Sequence, residues 1–559
     1  MNKAGQAEKP AAAGPPATPE TPEPDPKRWL ALTVLLVATF MDLLDANIIT
    51  VAIPSIQRDL GASTFAIQAM TAGYTLSFAV LLITGGRLGD IFGRKRMFLV
   101  GVGGFVLASA MCAAAPSTDL LVVARALQGL TAAVMVPQVL ALIHVSFAPQ
   151  EIGRVVSLYA SMVGLAIVSG PLIGGALISW NPLDLGWRSI FVVNLPVGVL
   201  ALVGAAKWMR ESSSPHAKRL DIAGMLLIVL GLLLLMVPLT LGRELDWPVW
   251  SIVSLVAAAP VLVLFVVYER HKTAKDGSPL VTLSLFKVRA FGAGIGVQLL
   301  FSAIPAGFFL SWTLYLQAGL GWSALHTGLT AIPFSLCVPI VGGLAVRRLS
   351  PLYGRYCLLA GAVLMLAGIL SYAWAADRFG TDITSWHAIP SMLLIGSGMG
   401  MLMPPLTALV LREVQPQEAG AASGIINATG QLGAALGVAV IGSLFFAALA
   451  GNAGPQAERV APTVQSVSPR QASDLRDCAT EALGQDDLAK VPDICSTLVQ
   501  GADDGTRDTI NGALGEIRAK TFVSTYSETL YWAAGGLVPV TALVLLLPHH
   551  RVRREEPAQ

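Results

Sequence analysis

The chain has 559 residues, 54% of them hydrophobic and only 13% charged, where a soluble domain averages about 25% charged residues. That composition excludes a soluble globular protein and is that of an all-α polytopic membrane protein, because a chain in lipid must close its backbone hydrogen bonds within each span. A formal net charge of +2 without a basic tract leaves nothing to suggest nucleic-acid binding, and seven scattered histidines show no metal-ligand spacing.

Residues 1–28 are expected to form a disordered cytoplasmic tail, since MNKAGQAEKPAAAGPPATPETPEPDP is rich in Pro, Ala and Glu and has no signal-peptide core. Apolar windows then recur at 29–54, 65–86, 97–115, 119–143, 153–178, 190–207, 222–241, 249–269, 291–316, 327–346, 356–376, 387–411, 421–448 and 524–548, fourteen spans in all. The window 291–316 contains Pro305, a residue able to break it. The spans group as a six-helix bundle (29–207), two additional helices (222–269) and a second six-helix bundle (291–548). This is the plan of a transporter whose two halves rock about a midplane site.

With the N-terminus inside, the short inner loops collect Arg87, Arg94, Lys95, Arg96, Arg154, Arg270, Arg347 and Arg348 among others. The short outer loops hold only Arg58, Arg188, Arg243 and Arg378, so both termini, including the tail 549–559, are expected on the cytoplasmic side of the cell membrane.

The first span contains MDLLDANIITVAIP, with carboxylates at Asp42 and Asp45. Intramembrane charges cost a few kcal/mol and usually face a partner or a water-filled cavity. Three residues apart on a helix, the two lie roughly 60° apart around it and about 4.5 Å apart along it, so both can face one cavity. The only clearly intramembrane cation is Arg125 in span four. An Asp–Arg pair at that depth either releases its Arg when the Asp takes a proton or is structural and never titrates. Asp42, with no cation assigned to it, reads equally as a proton carrier or cation site and as an acid solvated at a water-filled mouth.

After span two comes GGRLGDIFGRKR, residues 85–96, in which Gly89 and Gly93 permit a tight turn and Asp90 lies close to Arg94, Lys95 and Arg96. This loop resembles the signature of the major facilitator superfamily, Gly-x-Leu-x-Asp-x-x-Gly-Arg-Lys, matched by Gly86, Leu88, Asp90, Gly93, Arg94 and Lys95. The resemblance implies that Asp90 and Arg94 latch the cytoplasmic gate of the outward-open state. Ile91 stands where the family often has Arg, which weakens one ionic contact of that gate.

ARALQGLTAAVMVP (124–137) resembles the span-four motif, with Arg125, Gln128, Gly129 and Pro137; GLAIVSGPLIGGAL (164–177) resembles the antiporter motif, with Gly170, Pro171, Gly174 and Gly175. On physical grounds those glycines let a neighbouring helix approach closely and Pro171 bends the span. LDANIITVAIP (44–54) and WRSIFVVNLPVG (187–198) look like hallmarks of the fourteen-span drug:proton antiporters, and LYLQAGLGWSALHTGLTAIP (314–333), GMGMLMPPLTALV (398–410) and GAASGIINATGQLGAALGVAVIG (420–442) resemble the same family more loosely.

A drug-type cavity is largely apolar with a few polar groups. Met41, Asn47, Tyr74, Gln128, Gln138, Gln298, Phe301, Trp312, Tyr315, Gln317, Asn427 and Gln431 are its candidate lining, each more readily a packing residue when taken alone. The polar segment 449–523 is expected outside the cell, where Cys478 and Cys495 either form a disulfide closing a small cap or remain free thiols.

These readings predict a proton-driven antiporter of amphipathic small molecules that acts as a monomer among membrane lipids, with no metal, no cofactor and protons as the coupling ion. A transporter of one endogenous metabolite is the alternative. A sensor or enzyme built on 449–523 ranks last, because that segment has no nucleophile or phosphate-binding motif; nor is there a GxxxxGK[ST] loop for self-contained ATP-driven pumping.

Overall fold

The computed structural model describes residues 26–62, 64–213, 221–242, 247–275, 279–281, 283–412, 414, 419–460, 469–484, 492–500 and 504–547, and these contain no strand. The tails expected at 1–28 and 549–559 lie outside the described residues, apart from 26–28. The first bundle comprises α1 (Arg28–Leu60), α2 (Thr64–Phe92), α3 (Arg94–Ala113), α4 (Thr118–Ser146), α5 (Pro149–Trp180) and α7 (Asn194–Trp208), the last led in by the short α6 (Ser189–Val192). The additional pair is α8 (Ile222–Leu241) and α9 (Val249–Lys275). The second bundle begins with α10 (Arg289–Thr313), α11 (Ala324–Thr330), α12 (Ile332–Leu344) and the single turn α13 (Ser350–Tyr353). It continues with α14 (Arg355–Phe379), α15 (Ser385–Arg412), α16 (Ala419–Val460) and α19 (Asp504–Leu546), with α17 (Pro469–Gly484) and α18 (Asp493–Gln500) between the last two.

Thirteen stretches among the described residues are long and apolar enough to cross a membrane. The 32-residue α5, which packs against α1 and α12, stands beside them as a fourteenth long helix. The two bundles meet along α2 with α16 and along α5 with α12.

Local sequence explains the turns and crossings. Gly61 (φ 60°) ends α1 and Gly93 (φ 102°) joins α2 to α3, both in backbone conformations that other residues adopt at a cost. Where α2 crosses α4, a side chain at Gly85 would strike the Ala133 carbonyl, and one at Gly129 the Tyr74 carbonyl, so the two backbones approach closely only because both are glycine. Pro305 does not break α10; the helix runs on to Thr313 and then opens into a π-helical turn, Leu314–Gly319. One missing N–H is tolerated there while α16 packs at Gly307, two residues on.

The segment 449–523 is largely helical rather than an irregular loop. Helix α16 continues to Val460 and α19 starts at Asp504, so both project past the hydrophobic windows. With α17 and α18 they enclose a small apolar core of Ala457, Val460, Leu475, Ala479, Ile510, Ala513 and Ile517. Cys478 of α17 and Cys495 of α18 are joined in a disulfide, with Cα atoms 4.9 Å apart.

Candidate functional site

The two bundles are built around chemically different centres. In the first, α1, α3, α4 and α7 converge on a buried polar network. Arg125 donates from Nη1 to Asp45 Oδ2 at 2.5 Å and to Gln128 Oε1 at 2.7 Å. Gln128 Nε2 donates to Asp45 Oδ1 (2.9 Å) and Ser109 Oγ (2.8 Å), and Asn194 Nδ2 donates to the same two atoms at 2.6 and 3.3 Å. Each amide thus spends both its protons inside the network, and Asp45 receives three charge-assisted bonds. Every member is buried, Asp45 at 0% exposure and Arg125 at 1%.

Asp42 lies one turn away in a separate arrangement. It too is buried, at 3% exposure. Its partner is a phenol: the Tyr74 hydroxyl donates to Asp42 Oδ1 at 2.7 Å. The Tyr74 ring, in turn, has the Arg125 guanidinium 4.4 Å from its centroid, and Phe191 flanks that cation at 5.9 Å. Asp42 and Arg125 therefore meet at one side chain, Asp42 at the Tyr74 hydroxyl and Arg125 at its ring, although Asp42 takes part in no salt bridge among the described residues.

Glycines bring α5 onto this part of α1. A side chain at Gly170 would lie 2.7 Å from Asn47 Cβ, and one at Gly174 would lie 2.6 Å from Ile48 Cγ1, so both are needed for the close approach. At Gly175, by contrast, nothing among the described residues stands within 4 Å of an added side chain. Helix α5 runs through Pro171, whose side chain lies outside the described residues.

In the second bundle the corresponding centre is aromatic. Trp312 of α10 donates from Nε1 to the Tyr372 hydroxyl of α14 at 2.9 Å. Tyr526 of α19 stacks on Tyr315 at 4.5 Å and meets Tyr372 edge-on at 5.5 Å. Neutral hydrogen bonds and ring contacts hold these three helices together, where an ionic network holds those of the first bundle.

The loop motif forms a tight cluster at one end of the first bundle. Asp90 and Arg94 make a buried ion pair with Nη2–Oδ1 at 2.9 Å. Lys95 Nζ donates to the carbonyls of Ala206 and Met209, both at 2.8 Å, closing the last turn of α7. Glu211 Oε1 and Oε2 accept the Lys95 and Arg96 backbone N–H groups (3.0 and 3.2 Å) and so cap α3, and Gly93 leaves room for that carboxylate. Gly86 is buried in the last part of α2. At this end Arg28 also bonds Glu151 at 3.0 Å, which holds that carboxyl below its ordinary value. At the opposite end, Asp59 accepts from Trp187 Nε1 (2.9 Å) and Arg188 Nη1 (2.6 Å), and these bonds lower its pKa.

The expected cavity lining does not assemble as a single set. Gln128 belongs to the Asp45 network, because its amide joins Arg125, Asp45 and Ser109 at once. Gln138 staples α4 to α2 through the Gly85 carbonyl at 2.7 Å, filling the space left at Gly89. Trp312 and Tyr315 lie in the aromatic centre, Phe301 is core, and Met41 packs near Gly198 of α7. Gln317 lines a cavity of about 420 Å³ with Thr381 and Arg518; an adjoining cavity of about 340 Å³ is lined by Asp377, Arg378 and Lys520, away from the buried acids. Gln298 bonds Ser302 at 3.2 Å and borders Gly430 of α16, where Asn427 bonds the Ser423 carbonyl and Gln431 is half-buried. Asn47 is half-buried on α1 and bonds the Leu43 carbonyl of its own helix.

Sequence reasoning missed Ser109, Asn194, Glu211 and Tyr372. Asn194, a lone amide in the apolar span 190–207, carried a readable signal; Ser109 carried none.

Residues 35–438 match the family model described as Major Facilitator Superfamily. The chain is 39% identical to the Streptomyces coelicolor protein named "Probable actinorhodin transporter", over 97% of this chain and 95% of that one. It is 37% identical to a puromycin resistance protein of Streptomyces alboniger, over 75% of this chain and 82% of that one. It is 31% identical to a tetracenomycin C resistance and export protein of Streptomyces glaucescens, over 95% of this chain and 92% of that one. Among solved structures, the human organic anion transporter MFSD10 superposes with a TM-score of 0.56 at 14% identity, covering 92% of this chain and 99% of that one, a likeness of fold.

Proposed function

The chain belongs to the Major Facilitator Superfamily, and from that premise we propose that it is a proton-coupled antiporter that exports amphipathic drugs or antibiotics across the cell membrane by alternating access. The observation that carries this reading is the division of labour between the two α1 acids. Protonating Asp45 would break a buried ion pair, whereas protonating Asp42 removes a buried charge and breaks none. In this proposal Asp42 takes the proton and Asp45 holds Arg125.

The Tyr74 ring connects the two events. When Asp42 is protonated, the Tyr74 bond changes from charge-assisted to neutral, and the ring that faces the Arg125 guanidinium is freer to move. Because Gly170 and Gly174 seat α5 against α1 beside these acids, a small movement of α1 passes to α5 and so to α12 of the other half. The basic-residue distribution supports placing the Asp90–Arg94 end in the cytoplasm, where the pair and the Lys95 and Glu211 contacts would hold the gate.

The drug and antibiotic substrate class is supported by the names of the relatives, two of which are a puromycin resistance protein and a tetracenomycin C resistance and export protein. A dedicated exporter of one metabolite is the second reading, favoured by the near full-length match to the actinorhodin protein. Purified protein in liposomes tests both readings. Addition of ethidium or puromycin on one side is expected to drive proton movement the other way, reported by an internal pH dye. Substrate movement without any proton movement would overturn the antiport mechanism, and coupled movement of neither compound would favour a dedicated metabolite.

A further inference from the structure

The additional helices carry a second pair of buried acids, remote from α1. Asp221 caps the start of α8, its Oδ1 accepting from the Gly224 N–H at 3.0 Å and from the Tyr268 hydroxyl of α9 at 2.9 Å. Glu269 of α9 accepts the Val281 N–H on Oε2 at 3.1 Å. Each carboxyl has one oxygen left over: Asp221 Oδ2 and Glu269 Oε1 are both buried and find no donor among the described residues. Both oxygens lie against Gly224, where an added side chain would strike them both, so the two carboxyls stand side by side there. Their residues are 3% and 0% exposed.

Two acceptors facing each other out of reach of water repel and leave both desolvation costs unmet. A single proton between them satisfies both. We propose that Asp221 and Glu269 share one proton, forming a second protonation site that clamps the segment after α9 to the loop motif of the first bundle. The segment concerned includes 279–281, whose Leu280 and Val281 are buried in the main core. Glu269 holds it through Val281, and Arg87 of α2, within the motif, donates to the Pro279 carbonyl at 3.4 Å. The other side of the same motif is held by residues 209–212, where the chain leaves α7 for the additional pair. Helices α8 and α9 are thereby wired to the gate at both of their connections.

Among the described residues, the Tyr268 hydroxyl of α9 bonds Asp221, Lys272 of α9 lies near that phenol, and Arg87 of α2 reaches the Pro279 carbonyl; residues 279–281 contribute no titratable side chain. Loss of the shared proton leaves two carboxylates side by side. Their repulsion moves Glu269 from Val281 and frees Pro279 from Arg87. This inference concerns the coupling of the additional helices to the gate and does not depend on the substrate or on Asp42.

Infrared difference spectroscopy of the full-length protein in lipid reads the shared proton directly. Relative to wild type, Glu269→Gln and Asp221→Asn are each expected to lose the same protonated-carboxyl band at neutral pH. A background without the three free cysteines, with spin labels at Ser284→Cys and Arg96→Cys, reads the clamp. On alkaline titration a longer distance is expected to appear as the band disappears, and Glu269→Gln is expected to keep the short distance throughout. No band lost in either variant, a band that appears only after a chelator strips a bound cation, or identical distances in wild type and Glu269→Gln would each overturn the proposal. If either variant fails to fold, the alkaline titration of wild type decides alone, since band and distance must change together.

Discussion

Replacing the two members of the Asp45–Arg125 pair singly and together tests whether the ionic network is a structural unit. Asp45→Asn strands a guanidinium that is 1% exposed with the Gln128 carbonyl and the faces of Tyr74 and Phe191 for company. Loss of one partner of a buried pair costs about 3–5 kcal/mol, and the Tyr74 and Phe191 contacts, present in the wild type too, offset none of it. Arg125→Met leaves Asp45 charged but still bonded to Gln128 and Asn194, and each charge-assisted bond retained is worth about 1.5–3 kcal/mol. Arg125→Met should therefore be the milder single change. The double variant removes both charges and leaves neutral amides that can repartner, so its loss should fall short of the sum by about 2 kcal/mol or more. Unfolding of purified protein in mild detergent, compared across the four proteins, supplies the cycle. Strictly additive losses would refute the claim that these side chains act together.

Further consequences follow from the neighbouring geometry. Gly174→Val should push Ile48 away and separate α5 from α1, lowering transport by about tenfold or more while leaving the protein folded; vesicle uptake compared with Gly175→Val, which meets open space, checks it. Asp59 bonded to Trp187 and Arg188 has a lowered pKa, so its contribution to stability is present above the unfolded value of about 3.9 and is lost as pH falls through the lower folded value. The stability gap between wild type and Asp59→Asn should accordingly close on acidification, and a gap that widens would contradict the assignment. Cys478→Ser with Cys495→Ser opens a link spanning 17 residues, which chain entropy values at about 3 kcal/mol; protease should then nick α17 or α18 while transport persists.

Much of the first bundle was legible in its sequence because lipid makes charge conspicuous. Asp42, Asp45 and Arg125 stand out against apolar neighbours, and their residue types alone suggested a pair. Asp45 was already the acid left to pair with Arg125; what periodicity could not say was how α1 and α4 are rotated to bring the two together. Gln128 was misread as cavity lining because an amide has the same chemistry in a network as in a binding site. The aromatic centre was hidden for a different reason: Trp312, Tyr372 and Tyr526 come from three distant helices and look like ordinary membrane residues. The cap's helical core escaped because α17 is polar on average, while Leu475, Cys478, Ala479 and Leu483 recur at helical spacing on one face. Asp221 and Glu269 lie at the polar edges of their windows, where a carboxylate reads as solvated.

The central claim, that Asp42 carries the coupling proton while Asp45 holds Arg125, is tested most directly by transport in liposomes with and without an imposed pH gradient. Asp42→Asn keeps an acceptor for Tyr74 and cannot take up a proton. The account predicts that it loses gradient-driven substrate accumulation yet retains substrate exchange at zero gradient. Full gradient-driven accumulation by Asp42→Asn would contradict it.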